Sequence, residues 1–246
     1  MGVIRIRGWA FLVAVAALAG VVVVVTLLEM RPSGAEAPAD ITTHAELKLP
    51  PPRTAGEMSV EEAIALRRSI REYSDEPLTV QELSQLLWAA QGITDPKTGK
   101  RAAPSAGMTY PLEVYVVVGE GGVSGLAAGV YHYSPHEHSL LRVKGDDIRD
   151  ELCAAAVGQP WVREAPVSLV IAAVFERTKA KYGERGVRYV HMEAGHAAQN
   201  LYLQATALQL GMTVVGAFDD DAVRELLGMP EDHTPLYVVP VGRRAS

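Results

Sequence analysis

Three arginines surround one serine in the stretch RRSIREYS, residues 67–74, which follows an amphipathic segment. If a helix ends at this stretch, Arg67, Ser69 and Arg71 can converge on one point. Guanidinium groups bind phosphate oxygens bidentately, so this spacing indicates a phosphate site. A solvated basic helix end, which the helix dipole also favours, would explain the same residues. No GxGxxG or Walker loop accompanies the stretch, so we expect neither a Rossmann site nor a P-loop.

Histidines and the one cysteine are weaker candidates for chemistry. His132, His136 and His138 could bind a metal, but they flank the tip of a predicted hairpin and no second cluster supports them. A polar turn is therefore the favoured interpretation, and no metal site is predicted. Cys153 lies in the apolar run ELCAAAV, which is typical of a small buried side chain.

The composition is that of an ordinary globular protein. The chain has 246 residues, of which 48% are hydrophobic and 21% charged, and its formal net charge is −6. This length fits one well-packed domain or at most two small ones. The acidity argues against a nucleic-acid partner, and a single cysteine excludes an internal disulfide framework.

An apolar segment near the N-terminus predicts a membrane anchor. Residues 9–28 are 20 residues without a charge, which as a helix would span about 30 Å, the thickness of the hydrocarbon core of a bilayer. We therefore assign residues 1–30 to one transmembrane signal anchor. A cleaved signal peptide with its cleavage site at residues 35–37 is the alternative, and the length of the apolar stretch favours the anchor.

The charges beside this segment predict its orientation. Arg5 and Arg7 precede it, whereas Glu29 and Arg31 follow it and nearly cancel. The positive-inside rule then puts the N-terminus in the cytoplasm and the remaining domain outside the cytoplasm. With only two arginines setting the bias, the inverted orientation remains an alternative.

The region between the anchor and the folded domain is rich in proline and alanine. Residues 31–57 lack hydrophobic periodicity, and the Pro-Pro-Pro run at 50–52 should be extended and stiff. We predict a linker here, either a stalk or a wrapping arm, and one domain over residues 58–246.

Capping signals and hydrophobic periodicity predict the elements of this domain. Helices are expected after Ser59 and Thr79, from Asp146 or Asp147 to Gly158, over 187–210, and from Asp219 to Gly228. Strands are expected at 114–118, 168–175 and 235–242, with a hairpin at 129–143. Strands separated by helices and one hairpin favour an α/β or α+β fold around a mixed sheet.

Five stretches taken in order resemble one family. They are RRSIREYS (67–74), PSAGMTYPLEVYVVV (104–118), KYGERGVRYVHMEAGHAAQN (181–200), VVGAFDDDAVRELLG (214–228) and VPVGRR (239–244). Together they look like the nitroreductase-like flavoproteins, in the branch of SagB-like thiazoline/oxazoline dehydrogenases. The resemblance covers essentially all of residues 58–246.

The resemblance implies a fold, a cofactor and an activity. The fold is α+β, a nitroreductase-like mixed sheet flanked by helices, in an intertwined homodimer that binds FMN at the subunit interface. The activity is an FMN-dependent oxidoreductase that transfers hydride through flavin N5 to or from a small organic substrate, with NAD(P)H as a candidate electron donor.

The resemblance also assigns residues to the cofactor. It implies contacts to the FMN phosphate and ribityl chain from Arg67, Arg68, Ser69, Arg71 and Arg243. It places Pro104, Ser105, Ala106 and Gly107 against the isoalloxazine ring, and the backbone of Gly216 and Ala217 near flavin N1 and N5. It places Asn200 on the long interface helix that passes the cofactor. Small residues beside a flat ring and donors around a phosphate are physically suited to these roles.

Lys181 and Tyr182 are the catalytic residues that the resemblance implies. In azoline-oxidising members, a Lys-Tyr pair at this place acts in deprotonation while the ring is oxidised to an azole. A lysine whose pKa is lowered by desolvation could serve as this base. The alternative is that KYGERG is an ordinary polar loop before a helix.

Three alternatives for function stay open. Within the family, reduction of nitro or quinone compounds competes with oxidation of an azoline. Outside enzymes, the chain could be a non-catalytic flavin-binding or electron-transfer protein of a membrane assembly, or a scaffold that has lost flavin. The peptide-modifying branch works in cytosolic complexes with a cyclase, whereas the predicted anchor places this domain outside the cytoplasm.

Overall fold

The computed structural model describes residues 46–245 of the chain. Its helices are α1 (Val60–Leu66), α2 (Val80–Gln91), α3 (Arg149–Ala155), α4 (Pro160–Glu164), α5 (Phe175–Tyr182), α6 (Arg185–Ala207) and α7 (Asp220–Leu227). Its strands are β1 (Glu46–Lys48), β2 (Leu78–Thr79), β3 (Ile93–Asp95), β4 (Lys100–Arg101), β5 (Leu112–Val118), β6 (Val123–Ser124), β7 (Gly129–Ser134), β8 (Ser139–Lys144), β9 (Val167–Ala173), β10 (Leu210–Met212) and β11 (Thr234–Arg243). A 3-10 turn, Ala106–Met108, precedes β5.

Seven strands form one sheet in the order β1-β8-β7-β5-β9-β11-β10. Each of its six junctions is antiparallel. Parallel pairing occurs between β2 and β6, which form a separate two-stranded sheet. The described strands therefore pair in both senses, and the α+β class predicted from the sequence is confirmed.

Helices cover both faces of the sheet, and the central strand β5 is therefore buried on both sides. Val114, Val116 and Val118 belong to a core shared with α2 and α6. Tyr115 and Val117 belong to a second core shared with α3, α4 and α7. A near-continuous apolar run is the pattern expected of a strand buried on both faces.

Helix α2 shows how local sequence fixes an element. Thr79 accepts a hydrogen bond from the backbone N–H of Glu82, and the Glu82 side chain accepts from the Thr79 backbone N–H, which forms a full capping box. Leu83, Leu86 and Leu87 lie on one face of the helix and are fully buried. The capping box and the spacing of the buried leucines therefore agree with the helix predicted after Thr79.

The folded domain starts earlier than the predicted boundary at residue 58. Strand β1 lies within the range 31–57 assigned to a linker, and it pairs with β8 at the edge of the main sheet. Leu49 is buried behind it, and the Ser84 hydroxyl donates a hydrogen bond of 2.6 Å to the carbonyl of Pro50. Residues 46–53, named here the arm, therefore belong to the domain, which favours the wrapping-arm alternative.

Two predicted element boundaries also change. The helix expected from Asp146 or Asp147 to Gly158 forms only α3, because the Asp147 carboxylate binds the Arg149 side chain and the Glu120 backbone N–H. The strand expected to reach residue 175 ends at Ala173, and α5 begins two residues later. Lys181 and Tyr182 thus end a helix and do not lie in a polar loop.

The membrane prediction concerns residues that lie outside the described range. Residues 1–30 and the linker as far as residue 45 belong to that part of the chain. Within residues 46–245, no helix is both long and apolar enough to cross a bilayer.

Candidate functional site

Lys181 and Tyr182 are positioned by the tight turn between α5 and α6. Gly183 has φ 57° and ψ −149°, a backbone conformation that is essentially restricted to glycine. A Cβ on Gly186 would lie 2.9 Å from the backbone nitrogen of Lys179, so only glycine lets α6 approach α5 this closely. The two glycines of KYGERG therefore place the end of α5 against the start of α6.

Both predicted catalytic side chains reach Gly107, in the loop that the resemblance assigns to the flavin ring. The Lys181 ammonium donates a 3.3 Å hydrogen bond to the Gly107 carbonyl. A Cβ on Gly107 would lie 2.5 Å from the Tyr182 hydroxyl and 2.6 Å from Lys181 Nζ. The structure thus brings together two predicted groups that are 74 residues apart in the sequence.

The loop carrying Gly107 has an unusual backbone that several hydrogen bonds hold. Gly107, Met108 and Tyr110 all have positive φ, which non-glycine residues adopt only at a cost in free energy. The Ser105 hydroxyl oxygen accepts a hydrogen bond from the Tyr110 N–H, and Thr109 shares a 2.8 Å hydroxyl bond with Thr178 of α5. The loop is therefore fixed to the same helix that carries Lys181.

A buried carboxyl group lies behind this loop. Glu193 of α6 is 2% exposed, and its Oε1 atom has no hydrogen-bond partner among residues 46–245. Burial raises the pKa of Glu193 to about 7, against the opposing effects of the nearby Ser105 side chain, the Arg101 charge and the Ala106 backbone. Glu193 therefore titrates near neutrality.

The RRSIR stretch follows α1 and contacts α6 through Tyr202. The hydroxyls of Ser69 and Tyr202 are 2.9 Å apart, and the Arg67 guanidinium carbon lies 4.9 Å from the centre of the Tyr202 ring. The backbone N–H of Ile70 donates to the carbonyl of Met212 in β10. Helix α6 thus contacts the side chains of Arg67 and Ser69, and strand β10 holds the backbone at Ile70.

Arg71 extends from the same stretch towards α4 and the loop that contains Gly216 and Ala217. Its guanidinium carbon lies 5.2 Å from the centre of the Trp161 ring. Two residues before Trp161, the Gln159 amide donates a 3.0 Å hydrogen bond to the Ala217 carbonyl. Gly216 and Ala217 are exposed. Helix α4 therefore connects the predicted phosphate arginine with the predicted flavin-facing backbone.

Arg68 and Arg243 have other partners. The Arg68 guanidinium donates to the carbonyls of Ala65 and Arg67, which closes the end of α1. Arg243 forms ion pairs of 2.9 and 3.1 Å with Glu76 and Glu82. Arg68 thus matches the interpretation of a basic helix end. Arg243 would have to leave these two carboxylates in order to bind a phosphate.

Asn200 lies on another face of α6. Its side-chain amide donates to the Ala89 carbonyl of α2, and it lines an open cavity of about 360 Å³ with residues of α1 and α2. Tyr202 is two positions further along, which corresponds to a rotation of about 200° around the helix. The structure therefore does not bring Asn200 together with Arg67 and Ser69 within one protomer.

Two groups of residues are named here, one beside the turn between α5 and α6 and one in the stretch that follows α1 and its aromatic contacts. The first, named the loop cluster, comprises residues 104–107, Lys181, Tyr182 and Glu193. The second, named the arginine cluster, comprises Arg67, Ser69, Arg71, Tyr202 and Trp161. Glu193 and Tyr202 are nine residues apart on α6, which corresponds to about 13 Å along the helix axis.

The residues of the arginine cluster fit the phosphate of FMN. Among residues 46–245, no carboxylate pairs with Arg67 or Arg71, whose guanidinium groups lie over aromatic rings. Two cations without a carboxylate, together with the Ser69 hydroxyl, are a donor set suited to a phosphate. In the loop cluster, the absence of a Cβ on Gly107 leaves room for the side chains of Lys181 and Tyr182, the two predicted catalytic residues.

Sequence reasoning missed Glu193, Tyr202 and Trp161. No spacing signal distinguishes them, because their roles depend on contacts between distant elements. The three histidines of the hairpin also separate: His132 binds Glu113, whereas His138 contacts Ser84. Within residues 46–245, no group of three or more metal-ligating side chains occurs.

Comparison with known proteins identifies the class to which this fold and site belong. The model of the nitroreductase family matches residues 64–243. A protein of Methanocaldococcus jannaschii, MJ1384, which carries a provisional nitroreductase name, is 50% identical over 188 residues, covering 76% of this chain and 92% of the relative. The chain belongs to the nitroreductase family, and it is an oxidoreductase of that superfamily.

Two further relatives have more specific names. McbC, the microcin B17-processing protein of Escherichia coli, is 29% identical over 157 residues, which cover 63% of this chain and 58% of McbC. An FMN reductase [NAD(P)H] of Bacillus subtilis is 25% identical over 193 residues, covering 73% of this chain and 63% of that protein. This chain thus spans little more than half of McbC. Family membership and the FMN reductase support a flavin cofactor.

Solved structures show the same fold. A Ralstonia eutropha protein described provisionally as a nitroreductase superposes with a TM-score of 0.72 at 32% identity, covering 83% of this chain and 92% of that one. A chain of the Escherichia coli microcin synthetase McbBCD complex superposes with a TM-score of 0.63 at 25% identity, covering 79% and 76%. The nitroreductase-like fold predicted from the sequence is confirmed.

Proposed function

We propose that this protein is an FMN-dependent dehydrogenase of the SagB-like type, which oxidises a small azoline-type substrate. The observation that carries the proposal is the contact of Lys181 and Tyr182 with Gly107. This contact places an amine and a phenol on the loop that the family uses beside its flavin. Similarity to McbC supports the same branch.

The side chains of the loop cluster have distinct roles in this proposal. Bound FMN supplies hydride exchange at its N5 atom. Lys181, in its neutral form, takes the proton that leaves the substrate carbon, and Tyr182 lies within reach to hydrogen bond the reacting group. The fixed loop of residues 104–110 keeps both groups in place, which reduces the entropy lost on reaching a reactive geometry.

The arginine cluster anchors the cofactor in this proposal. Arg67 and Arg71 provide guanidinium groups, and Ser69 provides a hydroxyl, to the phosphate of FMN. Trp161 and Tyr202 orient the two guanidinium groups through cation–π contacts of 5.2 and 4.9 Å. The phosphate thereby pairs with two cations that have no carboxylate partner among residues 46–245.

We also propose that two copies of the chain form a homodimer. Helix α1 exposes Val60 by 63%, Ile64 by 57% and Leu66 by 49%, and such a cluster of exposed apolar residues is typical of an interface. A Cβ added to Gly195, midway along α6, would have no neighbour within 4 Å, which leaves space for a second backbone or a flat ring. A second copy would bring the two clusters of different protomers around one cofactor.

Membrane attachment remains part of the proposal. We propose that residues 1–30 anchor the protein and that its catalytic domain lies outside the cytoplasm, because of Arg5 and Arg7. A C-terminal alkaline phosphatase fusion that is active in cells would agree with this orientation. An inactive fusion beside an active cytoplasmic reporter would reverse it.

The first test of the function is the visible spectrum of the purified full-length protein, recorded before and after anaerobic addition of NADH and, separately, of a thiazoline- or oxazoline-containing peptide. We expect a yellow protein whose flavin bands are lost when the azoline peptide is added, as the flavin is reduced. Bands unchanged by azolines, NADH, quinones and nitroaromatics would favour the non-catalytic electron-transfer alternative. A colourless protein that takes up no added FMN would reject both the proposed dehydrogenase and the electron-transfer alternative.

A further inference from the structure

The hydroxyl group of Tyr202 joins two segments that the resemblance assigns to the cofactor. It lies 2.9 Å from the Ser69 hydroxyl oxygen, and it accepts a 3.1 Å hydrogen bond from the backbone N–H of Val214. Val214 begins the segment that leads to Gly216 and Ala217. One side chain of α6 therefore links the predicted phosphate-binding stretch with the predicted flavin-facing backbone.

The direction of the hydrogen bond between the two hydroxyls follows from counting donors. A phenol has one O–H donor, and the Tyr202 oxygen already accepts from Val214. A serine hydroxyl also has one donor, whereas an ionised phosphate presents acceptors. Ser69 can donate to a phosphate only if its proton is not given to Tyr202. Phosphate binding by Ser69 therefore requires Tyr202 to be the donor of this pair.

We propose that Tyr202 is a positioning residue that selects the phosphorylated flavin, FMN, over riboflavin. Its hydroxyl donates to the Ser69 oxygen, which leaves the one proton of Ser69 for the phosphate. This inference rests on the proposed function in one respect, the assignment of the arginine cluster to the phosphate of FMN. It adds a role for the hydroxyl group, whereas the cation–π contact with Arg67 needs only the ring.

The backbone next to each partner of the Tyr202 hydroxyl is held by a strand. Ile70, which follows Ser69, donates from its backbone N–H to β10 over 2.9 Å. Val215, which follows Val214, exchanges backbone hydrogen bonds of 2.8 and 3.0 Å with β11. The two groups that the hydroxyl joins are therefore held in place before a ligand binds, which reduces the entropy lost on binding.

The relative affinities for FMN and riboflavin test this role, because riboflavin lacks the phosphate. The full-length protein, freed of flavin, is titrated with each compound, and the change in flavin fluorescence gives both dissociation constants. We expect Tyr202→Phe, which keeps the aromatic ring, to lower the preference for FMN over riboflavin by about tenfold, because a hydrogen bond to a charged group is weakened. Any loss caused by the Val214 contact affects both flavins and cancels in this ratio.

A double-mutant cycle tests whether Tyr202 acts through Ser69. In a chain that carries Ser69→Ala, the additional change Tyr202→Phe should leave the preference for FMN unchanged, because no serine hydroxyl is left to orient. The matched control is Tyr131→Phe, which removes a phenol hydroxyl that donates to the Ala127 carbonyl over 2.8 Å. Tyr131 belongs to neither cluster, so this variant should keep the wild-type ratio.

Two results would overturn the inference. They are an unchanged preference in Tyr202→Phe, and an equal fall in preference with and without the Ser69 hydroxyl. If Tyr202→Phe does not fold, 3-fluorotyrosine at this position replaces it; its hydroxyl is a stronger donor and should raise the preference, and an unchanged ratio would then overturn the inference.

The proposed function and this inference fail in different ways. A chain that shows the expected ratios and oxidises no azoline would reject the proposed dehydrogenase and uphold the role of Tyr202. A chain that oxidises azolines with an unchanged ratio in Tyr202→Phe would do the reverse. A wild-type chain that takes up neither flavin would overturn both.

Discussion

Lys179 and Lys181 are two positions apart on one helix, yet their ammonium groups have different surroundings. Lys179 forms ion pairs of 2.8 and 3.3 Å with Glu176 and Glu184. Lys181 donates to the Gly107 carbonyl, and no carboxylate within residues 46–245 pairs with it. Of the two lysines, Lys181 is therefore the one whose ammonium group is not held by a carboxylate of the described residues.

Replacing Lys181 distinguishes the two activities that compete as hypotheses for this protein, azoline oxidation and quinone reduction. In Lys181→Met, we expect azoline oxidation to fall by about 10²- to 10⁴-fold, the usual contribution of a general base. Quinone reduction by NADH, which requires no proton abstraction from carbon by the protein, should continue. Steady-state assays of both reactions provide the measurement, with Lys179→Met as the control. Loss of neither activity would remove Lys181 from the catalytic machinery.

The residue types of the site were accessible from the sequence, whereas their partners were not. Arg67, Ser69 and Arg71 stand out because like charges crowd one short stretch. Glu193 sits in the helix-forming run HMEAGH, and only the approach of the loop at residues 104–107 makes it a buried acid. Arg68 has the same sequence signal as Arg67, but its side chain closes α1. Packing between distant segments decides such cases.

At the level of elements, the arm ties the start of the domain to its centre. His138 has φ 46° and contacts the Ser84 hydroxyl, the Tyr133 hydroxyl and the Pro50 carbonyl, at distances of 2.8 to 3.1 Å. Leu49 fills the space beneath, next to the core shared by α2 and β8. The arm therefore contributes packing as well as backbone pairing.

Truncating Leu49 should measure this contribution. We expect Leu49→Ala to lower the free energy of unfolding by about 2 kcal/mol or more, because a buried leucine leaves a cavity. Lys48→Ala, at an adjacent but exposed position of β1, should stay within about 0.5 kcal/mol of the wild type. Urea unfolding of both variants gives the comparison. Equal effects would show that the arm lies on the domain without stabilising it.

Element types were predicted better than element ends. Capping residues and apolar periods identify α2, α6 and α7 because these signals are local. The end of β9 and the start of α5 were missed, since VFERTK continues the apolar run without a turn residue. Strand β1 was missed because three residues are too few to show a hydrophobic period, and only pairing with β8 makes them a strand.

At the scale of the whole molecule, the homodimer that we propose depends on the exposed apolar face of α1. We expect the double variant Val60→Glu/Ile64→Glu to be monomeric and to retain little FMN, because charges on an apolar interface oppose its burial. Val157→Glu, at another exposed apolar position, should leave both properties unchanged. Light scattering after size-exclusion chromatography and the ratio of flavin to protein absorbance are the measurements. A dimeric double variant would place the interface elsewhere.

Strand β1 also bears on how the protein would aggregate. It is a three-residue edge strand with a charged residue at each end, and short charged edges resist pairing with other molecules. Without it, the six residues of β8 would become the free edge, with Leu141 already 38% exposed. A recombinant chain that starts at Met58 would therefore present an open template for strand addition, and we expect it to precipitate during purification.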